Sequence, residues 1–318
     1  MKNISFRTPI LFLIFNRPET TAKVFQEIRN IKPTHLYIVG DGPRKHLLDE
    51  DTRVAEARQI ATAIDWSCQV KTLFRNTNLG CKKGVSEAIN WFFHHEERGI
   101  ILEDDCLPHP SFFLYCDALL EKYKDNQRVM AITGNNFQDG QARGDASYYF
   151  SVFNHVWGWA TWRRAWELYD VDMKFWPDWR KSREWKSFLG NYCARRYWEK
   201  IFDNTHAGKV DTWDYQWTYS VWRHQGLTAT PNTNLVSNIG FGSDATHTKN
   251  TFSPISNLPV KSFQVLSHPS KIKPDLVADR FVLQNLFLRR NYIFLAPFLA
   301  VQAVSRTFFS FIARSIRA

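Results

Sequence analysis

Gly99-Ile100-Ile101-Leu102-Glu103-Asp104-Asp105 is the point where the chain changes character most sharply: an unbroken apolar run stops at three consecutive carboxylates. Ile and Leu without alternation are what a strand covered on both faces requires, and such strands belong to mainly parallel sheets. Three adjacent carboxylates repel one another, so the end of this strand faces either water or a cation. An oxygen-only donor set suits Mg²⁺ or Mn²⁺, which bind one or two carboxylates together with substrate phosphates. A solvated acidic turn would carry the same residues.

Outward from this stretch the pattern alternates. Residues 10–15 read as a buried strand, and 35–39 and 70–74 as the second and third strands. Residues 18–31 read as a helix, with Pro18 at its first position, where the missing N–H costs nothing. Further helices are expected over 51–64 and over 84–97, the latter with an apolar stripe at Val85, Ala88, Ile89, Phe92 and Phe93. Past the triplet, a helix over 112–123 and a strand over 129–133 complete the first 135 residues. Strand–helix alternation of this kind predicts an α/β fold, a mainly parallel mixed sheet flanked by helices.

In open α/β sheets, ligands bind beyond the carboxyl ends of the strands. Asn16-Arg17 follows the first predicted strand, Asp41 the second, and Arg75-Asn76 (with Asn78 and Gly80) the third; the acidic triplet follows the fourth. All four clusters should open onto one crevice.

The 318 residues suffice for one large domain or two small ones, and with 44% hydrophobic and 23% charged residues the chain is globular. The net charge of +10 favours polyanions: nucleic acid, anionic headgroups or phosphorylated small molecules. Of the 13 Trp, 11 fall between Trp157 and Trp222, where they can fill a core or stack on sugars. The five cysteines form no CxxC pair and no zinc spacing, which suits reduced thiols in the cytosol. The apolar run at 9–15 ends in Asn16-Arg17-Pro18-Glu19, unlike a cleavable leader. No run of 18 apolar residues predicts a spanning helix.

From Tyr148 to His224 the helical period covers 161–168 and 213–223, and residues 231–259 read as loop. Asp214 enters the second of these helices between Trp213 and Trp217. A carboxylate shielded this way has the raised pKa that a general base needs; the competing role is a helix cap, for which Asp211 is better placed. His247 reads as a metal ligand, part of a lid, or a surface histidine, and Gly240 and Gly242 as lid hinges. Over 298–318, Arg306, Arg314 and Arg317 fall opposite Val301, Val304, Phe308, Phe311 and Ile312 on a helical wheel. That pattern fits an interfacial helix on an anionic membrane, or a helix packed on the domain.

A family resemblance joins these pieces. Ile101 to Asp105 followed by Pro110-Ser111-Phe112-Phe113 resembles the metal-binding segment of GT-A glycosyltransferases, nearest the Glu-Asp-Asp form of the N-acetylglucosaminyltransferase I-like group. Phe15-Asn16-Arg17-Pro18-Glu19 is similar to the first donor-site turn of family 2 glycosyltransferases, and Arg75-Asn76-Thr77-Asn78-Leu79-Gly80 resembles their Arg-Asn loop. Weaker likeness at Trp157-Gly158-Trp159 and Trp213-Asp214 extends it over about residues 8–250.

The resemblance implies an inverting glycosyltransferase dependent on Mn²⁺ or Mg²⁺, moving a hexosyl or N-acetylhexosaminyl group in surface polysaccharide or glycoconjugate synthesis. Its GT-A domain would span 1–250, with a donor half at 1–135 and an acceptor half at 136–250, before a linker and basic tail at 251–318. Asp105, with His247, would hold the metal. Glu103 and Asp104 would hold the ribose or donor sugar, Asp41 the base, and Asn16, Arg17, Arg75 and Asn76 would line the nucleotide site. Asp214 would be the catalytic base. Gly40-Asp41-Gly42 departs from the two acidic residues usual in family 2. The expected partners are a nucleotide-sugar donor, a glycan or lipid-linked glycan acceptor, and an anionic membrane through the tail, at the cytoplasmic face. Nucleic acid is not expected, because the basic residues are dispersed and match no binding module. The alternatives are a sugar-phosphate nucleotidyltransferase, which usually opens on a Gly-rich loop lacking here, or a non-catalytic nucleic-acid- or carbohydrate-binding protein.

Overall fold

The structure is a computed structural model, and it describes residues 6–241, 255–262 and 266–288. His247, Gly242 and the tail at 298–318 lie outside the described residues. Among the described residues there are ten strands: β1 (Ile10–Ile14), β2 (His35–Gly40), β3 (Gln69–Phe74), β4 (Arg98–Glu103), β5 (Cys106–Pro108), β6 (Val129–Thr133), β7 (Tyr148–Ser151), β8 (Trp159–Trp162), β9 (Leu227–Pro231) and β10 (Val236–Asn238). Eight of them form one mixed sheet in the order β3-β2-β1-β4-β8-β6-β9-β7, and β10 pairs with β5 in a small second sheet. The first four in that order are mutually parallel, β8 runs antiparallel between β4 and β6, β6 and β9 are parallel, and β7 is antiparallel to β9.

Helices α1 (Pro18–Ile31), α2 (Glu50–Ala61), α3 (Gly80–His95) and α4 (Pro110–Lys122) connect the first strands. Their apolar faces explain why β1 and β4 need no alternation. Ile10, Phe12, Ile14, Ile100 and Leu102 pack with Val24, Phe25 and Ile28 of α1 and with α4. Leu11, Leu13 and Ile101 point the other way, onto Ala88, Ile89, Phe92 and Phe93 of α3. Both faces are therefore buried, as an apolar run demands.

The second half contains α5 (Arg163–Trp166), α6 (Trp176–Trp179), α7 (Arg183–Phe188), α8 (Tyr192–His206), α9 (Asp214–Arg223) and α10 (Leu276–Val282). Two expectations need correction here. The helical period over 161–168 is only partly realised, since Thr161 and Trp162 end strand β8 and only one helical turn follows. Sheet geometry explains this: Ala160 and Trp162 enter one core cluster while Trp159 enters the other, and pairing on both sides to β4 and β6 outweighs local periodicity. Within 231–259, expected as loop, residues 236–238 form β10 against β5. All five cysteines are free thiols. No described helix is long and apolar enough to cross a membrane.

Candidate functional site

The turn from β1 into α1 is three residues long, and Pro18 fixes where the helix begins. Because β1 and β4 are adjacent and in register, with Leu13 opposite Glu103, this turn lies against the acidic triplet. Arg17 Nη1 donates to Asp105 Oδ2 at 2.5 Å and stands 3.6 Å from Asp104 Oδ1. The Phe15 N–H donates to Asp104 Oδ2 at 2.9 Å. Burial disfavours the Arg17 charge, but Asp104 and Asp105 outweigh it and hold the guanidinium above its ordinary pKa.

The carboxylates respond in the opposite sense. Burial, reinforced by Asp105 and Asp104, pushes Glu103 up to about 8. Burial pushes Asp104 up to about 6, with Arg17 pulling against it. Among the described residues the Glu103 carboxylate has no hydrogen-bond or ion-pair partner. Three carboxylates thus face one guanidinium, and the remaining negative charge is destabilised by low dielectric.

Two loops beside this site are tied into one body. The Asp41 carboxylate accepts from the Gly42 N–H at 2.9 Å and the Leu79 N–H at 2.9 Å, and Asn78 Nδ2 donates to the Gly42 carbonyl at 3.0 Å. A Cβ at position 42 would stand 2.4 Å from the Thr77 nitrogen, so glycine is needed for the approach. Arg58 bridges the carbonyls of Asp41 (3.1 Å) and Arg75 (2.5 Å). Arg75 itself turns onto α3, donating to the Gly84 carbonyl at 3.1 Å and to Glu87 at 3.2 Å. Asn76 is exposed at the loop tip. Asp41 and Arg75 therefore fix the backbone of the loops beyond β2 and β3.

Asn16 donates its amide to Glu50 Oε1 at 2.7 Å. Glu50 is buried, and it is paired with Arg44, which donates its backbone N–H at 2.6 Å as well as its guanidinium. Although burial raises the Glu50 pKa, the bonds from Arg44 prevail and hold it below the usual carboxylate range. The Arg44 guanidinium lies 5.5 Å from the Phe15 ring. Sequence reasoning missed Glu50 and Arg44, since an acidic residue opening a polar helix looks like a solvated face.

The opposite wall comes from the Trp-rich half. Trp159, paired to Ile101 of β4, stacks on Trp213 with centroids 5.5 Å apart, and Trp217 packs 5.7 Å away. This brings the start of α9 to the acidic site: the charge of Asp214 contributes to the raised pKa of Glu103, and likewise of Cys81, Tyr169 and Tyr215. Asp214 Oδ1 accepts from the Tyr215 N–H at 2.9 Å and from the Thr212 hydroxyl. Asp211 does not cap α9, contrary to expectation. Its carboxylate accepts from the Cys81 and Lys82 N–H groups, each at 2.9 Å, at the start of α3. That cap joins residues 129 and 130 positions apart in sequence, and nothing in local spacing could reveal it.

A metal fits this donor set in part. The ligands are all oxygen, and a dication would favour the ionised carboxylates that burial disfavours. Among the described residues no three His, Cys, Asp or Glu side chains converge to hold a metal ion, although Mg²⁺ commonly takes only one or two carboxylates. Asp105 is the crowded member: the Ile239 N–H donates to its carbonyl at 2.9 Å, and a Cβ at Gly240 would lie 2.1 Å from Oδ2. Glu103 and Asp105 are the residues that would hold the ion.

No protein-family model matches the chain, and no curated protein matches it. Among solved structures it is similar to a UDP-glucose pyrophosphorylase complexed with UDP-glucose, at 13% identity and a TM-score of 0.25, over 46% of this chain and 63% of that one. It is also similar to the 4-diphosphocytidyl-2C-methyl-D-erythritol synthase of Anaerococcus prevotii, at 12% identity and a TM-score of 0.30, over 55% of this chain and 78% of that one. Likenesses this distant leave the geometry of the site as the basis for function.

Proposed function

We propose that the protein is an inverting, metal-dependent glycosyltransferase that takes a sugar from a nucleoside-diphosphate donor. The observation that carries this reading is the charge arrangement at the end of β4, where Asp104 and Asp105 share one guanidinium and Glu103 lies within electrostatic reach of Asp214. A divalent ion held by Asp105 and Glu103 would supply neutralisation of the diphosphate leaving group.

The chain's own residues would do the rest. The Asp41 and Arg75 loops and the Asn16–Glu50–Arg44 group would seat the nucleotide, and Asp104 the ribose or sugar. Asp214 would take the proton of the acceptor hydroxyl as its oxygen bonds to the anomeric carbon and the bond to the diphosphate oxygen breaks. Trp213 and Trp217 would keep water from competing. The tail at 298–318 would bring the enzyme to an anionic membrane and a lipid-linked or glycan acceptor.

A second reading, a sugar-phosphate nucleotidyltransferase, draws on Arg17 as a phosphate-binding cation in the first turn. Against it stand the short turn 15–17, which contains no glycine, and the role Asp214 would lack. Incubating the protein with nucleotide-sugars, Mn²⁺ and either acceptors or pyrophosphate separates the two. Release of nucleoside diphosphate supports transfer, whereas pyrophosphate-dependent formation of nucleoside triphosphate supports the second reading and refutes the first.

A further inference from the structure

We propose that the outward face of α10 and the segment leading into it, from Lys271 to Arg280, form a docking surface for an anionic lipid bilayer. Leu276 and Val277 would enter the acyl boundary, and the basic side chains around them would meet lipid phosphates. The inference shares with the proposed function only the partner given to the tail, and it is independent of the donor site.

This segment is anchored from one side. Residues 267–275 run along β7, the edge strand of the large sheet. The Ser147 N–H donates to the Ser267 carbonyl at 3.3 Å, Phe150 and Pro274 form a parallel bridge, and the Asp275 N–H donates to the Phe150 carbonyl at 2.8 Å. Past Asp275, α10 turns Ala278, Asp279 and Val282 inward, where Asp279 accepts from the Ser151 hydroxyl and the Ala278 carbonyl accepts from Gln138 Nε2 at 3.1 Å. Leu276, Val277 and Arg280 take the outward face together, since residues three and four apart share one side of a helix. Leu276 is 68% exposed and Val277 63%. A helix's first turn favours acidic side chains beside its unpaired N–H groups. Two adjacent apolar residues projecting into water there break that local rule, as functional positions do.

The charges around the pair are of one sign. Both acids of the segment are committed: Asp275 caps α10 by accepting from the Val277 and Ala278 N–H groups, and Asp279 is buried. Lys271, Lys273 and Arg280 are exposed, and among the described residues they have no hydrogen-bond or ion-pair partner. Neighbouring elements add further cations. Arg128 donates to the Ile272 carbonyl at 3.3 Å, and the Arg143 guanidinium stands 5.3 Å from the Phe281 ring. Uncompensated cations around a projecting aliphatic pair are complementary to anionic headgroups over hydrocarbon. A second copy of this chain, with its net charge of +10, would bring like charges together. A nucleic acid would satisfy the cations but leave Leu276 and Val277 in water. From Leu288 the sequence runs to Ala318 without an acidic residue, so the surface lies close to where a basic, apolar tail leaves the described residues.

The test is flotation of the full chain with phosphatidylcholine vesicles, with and without equimolar phosphatidylglycerol. Wild type is compared with Leu276→Ser/Val277→Ser, with Lys271→Gln/Lys273→Gln/Arg280→Gln, and with Arg306→Gln/Arg314→Gln/Arg317→Gln in the tail. Wild type should float with the anionic vesicles only. The Lys271/Lys273/Arg280 variant should bind on the order of 100-fold more weakly, and the Leu276/Val277 variant roughly tenfold more weakly. The substituted side chains are exposed, so melting curves of both should overlay that of wild type. Salt should release the Leu276/Val277 variant steeply. Normal flotation by both of these variants, with loss confined to the tail variant, overturns the inference and leaves the tail as the anchor. Equal flotation of wild type with neutral vesicles overturns it as well. No flotation of wild type removes this surface and the membrane role of the tail together, and leaves the donor-site reading standing. Unchanged flotation of the Lys271/Lys273/Arg280 variant, with loss of double-stranded RNA binding that wild type shows, would assign the face to nucleic acid instead.

Discussion

In the first 135 residues β1 to β4 run parallel, with β1, β2 and β4 buried between helices, β3 exposed at the sheet edge, and Arg17, Asp104 and Asp105 paired beyond β1 and β4. From residue 148 onward the strands are three to five residues long, three of them (β7, β8 and β10) lie antiparallel to their sheet neighbours, and the core is built from indole rings. Trp159, Trp176, Trp185, Trp217 and Trp222 are all fully buried. One half holds paired charges at its strand ends, and the other builds its core from aromatic bulk. On the proposed function this contrast is a division of labour: the parallel half would bind an anionic donor, and the aromatic half would supply a shielded base. Substitutions in the two halves should then fail differently.

The largest effect is expected at their junction. Asp214→Asn should lower kcat by about 10²–10⁴-fold while nucleotide affinity is unchanged. Loss of nucleotide binding with a normal rate at saturation would move Asp214 to the donor side and erase the division.

Next comes Trp217→Ala, which empties a fully buried site and should cost about 3–5 kcal/mol of stability. Denaturant unfolding checks it. A loss below about 1 kcal/mol would mean that the indoles serve ligand contact more than packing.

The third expectation is pH-dependent. Burial pushes Asp279 up to about 7, only partly offset by its bonds from Ser151 and Val152, and Asp275 adds to the rise. A carboxyl whose folded pKa exceeds its unfolded value of 3.8 binds more protons when folded, so its contribution to stability falls as pH rises from about 4 to 7. Asp279→Asn should flatten that fall, and its melting temperature relative to wild type should be higher at pH 8 than at pH 4.5. Parallel curves for the two proteins would contradict it.

The smallest effect is expected at Asp211→Ala, which removes an acceptor from two N–H groups of α3 and should cost about 1 kcal/mol. A catalytic defect without a stability change would make Asp211, not Asp214, the candidate base.

The same contrast explains what sequence could reveal. Pro18–Ile31 and Val129–Thr133 are legible to the residue because a proline start and a buried β-type run are local signals. The four strand-end clusters are legible because parallel strands deliver their ends to one side. Thr161 and Trp162 were not, since a strand paired on both sides obeys partners far away in sequence. Arg17 could be placed at the crevice, but its choice of Asp105 depends on register between β1 and β4. Asp211 capping α3 is a contact of the same long-range kind.

The acidic triplet as a metal-dependent donor site is tested most directly by following nucleoside diphosphate release from a cleaved nucleotide-sugar across a Mn²⁺ titration, for wild type and Asp105→Asn, with melting curves on the same samples. Wild type should turn over only with the ion. The variant should stay folded, because Arg17 keeps Asp104 at 3.6 Å, and should show no metal-dependent release. Near-normal release by Asp105→Asn at saturating Mn²⁺ would contradict the assignment.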